Sequence, residues 1–415
     1  MTRRLLILSA IATVVFGTGV LPVQSEDWPQ WRGPKRDGIS QETGLLDSWP
    51  EGGPAQVWKA TGIGGGYAAP AIVGGKVFGS GYENGEEVVW ALAEVDGKVL
   101  WKTPVSKPSY DKIEAQYAAG PRATPTVDGA MLYFLGAAGD LACLDAGSGK
   151  VVWTKNLVTD FGGALMSEWG HSAAPLVDGD RLICTPGGAK GTVAALDKKT
   201  GALLWQSKDL TDPASYSSVI AAELAGKRQF VVLTGASLAG LNPEDGAVLW
   251  RAARAGKSFV VATPIVHENQ VWVTSAEVGC HLYTIAAAGG AFTATESYKS
   301  LKLKNDWGGV VKVGDHLYGD NGATFVSLDF KTGDMASRGR LVGECGVTFA
   351  EGHLYLQNQD GVVALAEAKP DAITEKSRFT PAEAAGKKVY SVPTIANGRL
   401  YIRSLDTLAV YNIKK

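Results

Sequence analysis

Apolar runs of four to six residues alternate along this chain with short turns rich in glycine and aspartate. The stretch from Arg122 to Trp153, RATPTVDGAMLYFLGAAGDLACLDAGSGKVVW, shows the pattern in full. ATPTV ends at the turn DG, MLYFLG at AAGD, LACLD at AGSG, and KVVW closes the unit. Runs this short, punctuated this way, predict four antiparallel strands joined by tight hairpins. One such sheet cannot bury both faces by itself, so copies must flank it.

The copies follow. SAAPLVDGDRLICTPGGAKGTVAALDKKTGALLW ends at Trp205, and SSVIAAELAGKRQFVVLTGASLAGLNPEDGAVLW ends at Trp250. A diverged unit upstream closes at Trp101, so the closing tryptophans 101, 153, 205 and 250 recur at intervals of 52, 52 and 45 residues. That period, with four strands in each unit, predicts an all-β chain folded as a β-propeller of four-stranded antiparallel blades. Seven units begin near Ala68, Ala123, Ala173, Ser218, Ala262, Gly308 and Val347. The C-terminal stretch SVPTIANGRLYIRSLDTLAVYNIKK holds only three strands, and the isolated strand Val57 to Thr61 is expected to supply its fourth. An N-terminal strand closing the last blade gives eight blades and removes the free edges of the ring.

Ahead of residues 57–415, which form the propeller, lie two other segments. Residues 1–25 read as a secretory signal: Arg3 and Arg4, an apolar run from Leu5 to Leu21, then Val23-Gln24-Ser25 before a cleavage site. No cysteine stands near that site, so the mature protein is expected in the periplasm or outside the cell without a lipid anchor. Residues 26–56 are rich in Pro, Gly and Trp without a period, an arm expected to cap part of the propeller because its tryptophans are costly to leave in water.

Composition narrows the function classes. Among 415 residues the formal charge is −2, which leaves no basic footprint for nucleic acid. The four cysteines at 143, 184, 280 and 345 show no metal, redox or haem spacing. Cys143 and Cys184 sit in apolar runs and read as small core hydrophobes.

The turn and closing strand of the repeat, LDAGSGKVVW, LDKKTGALLW and LNPEDGAVLW, resemble those of pyrroloquinoline-quinone-type (PQQ-like) β-propellers. That repeat occurs in quinoprotein alcohol dehydrogenases, in the BamB scaffold propeller, and in exported proteins called PQQ-binding-like or BamB-like. DWPQWRGP after a leader, GPRATPTVDG and TPGGAKGTVAALD resemble the last group. The resemblance implies the fold, and in the repeat the tryptophan docks against the neighbouring blade. Asp145, Asp197 and Asn242 can bond turn amides, and Gly149, Gly201 and Gly246 supply positive φ.

In a propeller the first strand of each blade lines the channel, so the residues just before it ring one mouth. Gln116, Tyr117, Arg122, Glu168, Trp169, His171, Tyr216, Asn305, Asp306, Trp307, Glu344 and Tyr390 are therefore expected to converge. Of these, Arg122 is the candidate for an anion contact and His171 a candidate general base. The expected function is a non-redox scaffold that binds a protein partner or a small ligand in this funnel. The alternative implied by the resemblance is a dehydrogenase of alcohols holding pyrroloquinoline quinone and Ca²⁺. Glu168, Asn305 and Asp306 would then be metal or base candidates, and Trp169 or Trp307 the stacking floor. The adjacent cysteine pair usual in those enzymes is missing.

Overall fold

The computed structural model describes residues 26–110, 118–256 and 259–415, almost entirely as β-structure. Eight antiparallel sheets follow one another in chain order. Blades 1 to 7 span residues 71–106, 126–156, 176–206, 220–253, 265–300, 311–339 and 345–379. Blade 8 joins Thr394–Ala396, Arg399–Ser404 and Thr407–Asn412 to the N-terminal strand Gln56–Thr61, with Trp58 opposite Val410. The expected closure of the ring by its two ends is present. Most first strands start two or three residues later than the sequence pattern suggests. The residues just before them bond to the neighbouring blade instead: Ala68 O accepts from Arg403 Nη1 at 2.9 Å, and the Ala174 amide donates to Ser218 Oγ at 3.0 Å.

The closing tryptophans repeat one contact. Trp58, Trp101, Trp153 and Trp205 donate Nε1–H to carbonyls of the next blade, at Glu94, Ala146, Lys198 and Pro243, over 2.7 to 3.2 Å. Each indole lies on the turn glycine of that next blade. A Cβ on Gly97, Gly149, Gly201 or Gly246 would stand 2.4 to 2.8 Å from the indole. These glycines thus answer two demands at once, a positive φ of 70 to 74° and the absence of a side chain beneath a ring. Tyr298 does the same for blades 5 and 6, its hydroxyl donating to Phe330 O at 3.0 Å beside Gly333. Trp250 departs from the series: its Nε1–H turns back to Gln229 Oε1 within blade 4, at 2.6 Å.

The arm does more than cap. It enters beside the turn at Gly74, where the Asp27 carboxylate accepts the Gly74 amide, and Trp28 pairs with Ile72 of blade 1. It folds back over residues 30–36 and leaves as Ile39–Ser40, a fifth, parallel strand on the channel edge of blade 7. Along this path Pro29 O accepts Val127 N of blade 2, and Trp31 Nε1 donates to Thr263 Oγ1 ahead of blade 5 at 2.9 Å. Arg32 reaches Val310 O ahead of blade 6, and Arg36 reaches Ala174, Pro175 and Val219 carbonyls ahead of blades 3 and 4. Glu42 accepts the Gly398 amide of blade 8 at 2.5 Å. One segment of the chain therefore touches all eight blades, and the channel is plugged from one end.

Both arm guanidiniums are buried and solvated chiefly by carbonyl oxygens. Burial lowers Arg36 to about 9 and Arg32 to about 10. All four cysteines are free and buried, Cys143 and Cys184 in one core cluster between blades 2 and 3.

Candidate functional site

At the mouth opposite the arm's entry, the segments ahead of the first strands enclose a cavity of about 160 Å³. Each blade but the seventh contributes: Tyr67, Arg122, Trp169 with Ser172, Tyr216 with Ser218, Phe259 with Val261, Asp306 with Trp307, and Tyr390. Trp31, from the tip of the arm, is the floor. Seven of these twelve lining residues are aromatic, so the walls are apolar and stiff, with few rotors to freeze when a guest enters.

The rings form two walls. On one, Trp169 stacks on Tyr216 at 5.8 Å and 22° and meets Phe259 at 4.7 Å. The Tyr216 hydroxyl is held by Ser167 Oγ. On the other, Tyr390 meets Tyr67 and Trp307 edge-on, both at 5.5 Å. The Arg122 guanidinium lies over the Tyr67 ring at 5.6 Å, a cation–π contact. Trp307 Nε1 is buried with no partner among the described residues.

Charge is arranged asymmetrically. Burial raises Asp306 to about 6, with Glu344 and Glu277 adding repulsion. Burial lowers Arg122, against the pull of nearby tyrosines and Glu87. The cavity thus offers a cation beside blade 2 and a carboxyl ahead of blade 6.

Of the residues picked from sequence, Arg122, Trp169, Tyr216, Asp306, Trp307 and Tyr390 line this cavity. Glu344 does not, but its charge reaches Asp306. Glu168 is exposed and outside the lining, because the backbone turns its neighbour Trp169 inward. Asn305 is fully buried, its amide donating to Asp320 Oδ2 at 2.6 Å and its carbonyl accepting Gly309 N at 2.9 Å. It clamps a turn beneath the site. His171 is also buried and outside the lining; its amide donates to Ala137 O at 2.8 Å, and burial lowers its ring to about 4. A neutral ring locked in the wall between two blades cannot collect a proton from the funnel. Gln116 and Tyr117 lie outside the described residues.

Tyr67, Ser172 and Val261 escaped the sequence reading although a signal existed. They stand three residues before the prolines of YAAP, SAAP and VATP, the register of Arg122 in RATP and Tyr390 in YSVP. Trp31 had no such signal, since the arm does not repeat.

The donor set does not fit a quinone–calcium centre. Calcium takes six to eight oxygens, yet Glu168 is exposed, Asn305 is bonded to its own turn, and no group of three acidic, His or Cys side chains among the described residues converges as a ligand set.

The family described as outer membrane protein assembly factor BamB matches residues 85–336. BamB from Xanthomonas campestris pv. campestris is 28 % identical over 209 residues, 50 % of this chain and 46 % of that protein, so this match spans less than half of the relative. BamB from Yersinia pestis is 24 % identical over 396 residues, 94 % of this chain and 84 % of the relative. The crystal structure of BamB from Moraxella catarrhalis shares the fold, with a TM-score of 0.62 at 17 % identity, over 87 % of this chain and 98 % of that one.

Proposed function

The chain belongs to the BamB family of outer membrane protein assembly factors, and on that premise we propose that it is a non-redox scaffold that holds a segment of a protein partner in its aromatic funnel. One observation carries the reading: the arm closes the channel, so the funnel is a blind, one-ring socket walled by seven aromatic side chains. A socket of that size takes a single aromatic or branched side chain from a partner. Rigid, desolvated aromatic pockets are where interface energy concentrates. Ser172, Ser218 and Arg122 give hydrogen bonds to the backbone that carries the guest side chain, while Asp306 faces a donor.

The proposed place of action is the periplasm, reached by cleavage after Ser25 and without a lipid. The charged and apolar leader and the family's printed role support it. Mass spectrometry of the exported protein tests it; a mature chain beginning near Glu26 is expected, and a retained leader would contradict it.

The funnel is tested with the mature protein as bait for envelope proteins, using Trp169→Ala and Trp307→Ala beside a rim control, Lys98→Ala. Capture should fall at least tenfold in both funnel variants and stay constant in the control. Equal capture by all four proteins would refute the funnel as the docking site. A parallel titration with pyrroloquinoline quinone and Ca²⁺ should leave absorbance and melting temperature unchanged. A calcium-dependent complex lost in Asp306→Ala would replace the scaffold reading with the dehydrogenase.

A further inference from the structure

A second cavity, of about 640 Å³, opens where blade 4 meets blade 5. At this junction the closing tryptophan of blade 4 makes no lock, because Trp250 bonds Gln229 inside its own blade. Arg254 lines the cavity although only 4 % of it is exposed. Its Nη2 donates to Gly279 O at 2.8 Å and Ser275 Oγ at 3.1 Å. Its Nε and Nη1 are buried and have no partner among the described residues. The backbone at Gly256 packs closely beside the guanidinium, since a Cβ there would stand 2.7 Å from Val260 Cγ2 and 3.1 Å from Nη1.

Lys299, Ser300, His281 and Glu296 also line the cavity. His281 Nδ1 lies 2.8 Å from Glu296 Oε2, and the buried Nε2 has no partner. A buried cation with unmet donors is costly unless something supplies acceptors. No carboxylate among the described residues lies within ion-pair distance of Arg254, and the one acid at the site, Glu296, is directed at the histidine.

We propose that this cavity is an oxyanion site, taking a phosphate-type group against the Arg254 guanidinium with Lys299 and His281 completing its cage. Donors approaching from the end of blade 4 and from both strands of the long blade 5 hairpin suit a tetrahedral anion better than a planar one. Nδ1 faces the Glu296 carboxylate and so carries the neutral ring's proton, which leaves a lone pair on Nε2. An oxyanion at Nε2 therefore binds with uptake of a proton or as its protonated form. The charged groups facing His281 are Glu296, which favours the charged ring, and Arg254 and Lys299, which oppose it. Binding tightens as pH falls from 8 to 6, because the bound anion adds to the Glu296 side of that balance.

The test titrates the full mature protein with inorganic phosphate at constant ionic strength, against chloride, following melting temperature and the ³¹P line. A saturable rise with phosphate alone is expected, stronger at pH 6 than at pH 8. Arg254→Lys should abolish it, and Lys299→Ala and His281→Gln, which spare the core, should weaken it at least tenfold. No saturable response, or one unchanged in Lys299→Ala and His281→Gln, would overturn the site. Phosphatidylglycerol vesicles distinguish the source: retention that free phosphate reverses assigns a lipid headgroup, and no retention assigns a soluble anion.

Discussion

The rim and the channel of this propeller are held by opposite means. Around the rim, one device recurs: an indole or phenol from one blade donates to a carbonyl of the next and rests on a glycine that can carry no side chain. In the channel, a single aperiodic arm reaches every blade, with Trp28, Trp31, Arg32 and Arg36 each making a different contact. Losing a rim lock leaves the others standing, as the junction after Trp250 shows. An arm contact has no duplicate. The difference predicts that perturbing the arm costs more than perturbing a lock.

The largest effect should come from Arg36→Ala. It strips acceptors at Ala174, Pro175 and Val219 of their charged donor deep in the channel, so a loss of about 3–5 kcal/mol is expected from denaturant unfolding. A loss below that of a rim lock would break the comparison.

Next comes a pH effect between blades 2 and 3. His171 has a folded pKa near 4, below its ordinary 6.5, because burial disfavours the cation. Between those values the unfolded chain binds the extra proton, so stability is full above pH 6.5 and falls as pH drops toward 4, by about 3 kcal/mol in the limit. His171→Gln should flatten that slope in urea titrations run from pH 7 to pH 4. An unchanged slope would place the acid sensitivity elsewhere.

Trp153→Ala removes one rim lock, and because the ring is only partly buried the expected cost is about 2–3 kcal/mol. The smallest effect sharpens the mechanism of that lock. Gly201→Ala sets a Cβ 2.8 Å from the Trp153 indole at a φ of +70°, and about 1–2 kcal/mol should be lost. In a Trp153→Ala background the steric part should vanish, leaving a smaller cost.

What was legible in the sequence follows the same division. The blades, their number and the terminal closure could be read because the early units repeat the turn chemistry of Asp145, Gly149 and Trp153 and the later ones keep the strand spacing. The mouth residues Arg122, Asp306, Trp307 and Tyr390 were legible because they hold a fixed place ahead of a repeated strand. Glu168 and Asn305 fall outside the cavity lining, because position ahead of a strand does not say which way a side chain points. Glu168 faces water, and Asn305 is consumed by Asp320 and Gly309. The arm's course was hidden entirely, since Trp31, Arg32 and Arg36 follow no period and their partners lie more than a hundred residues away in sequence.

The plug that turns a ring into a one-mouthed funnel is tested most directly by hydrogen exchange at the arm. The Trp28 amide donates to Ile72 O at 2.7 Å, and the Phe349 amide donates to Gly38 O at 2.9 Å. Both should exchange as slowly as amides in the middle of the blades, opening only with global unfolding. Fast exchange of residues 28–40 beside protected blades would mean that the arm leaves the channel on its own, and the socket would lose its floor.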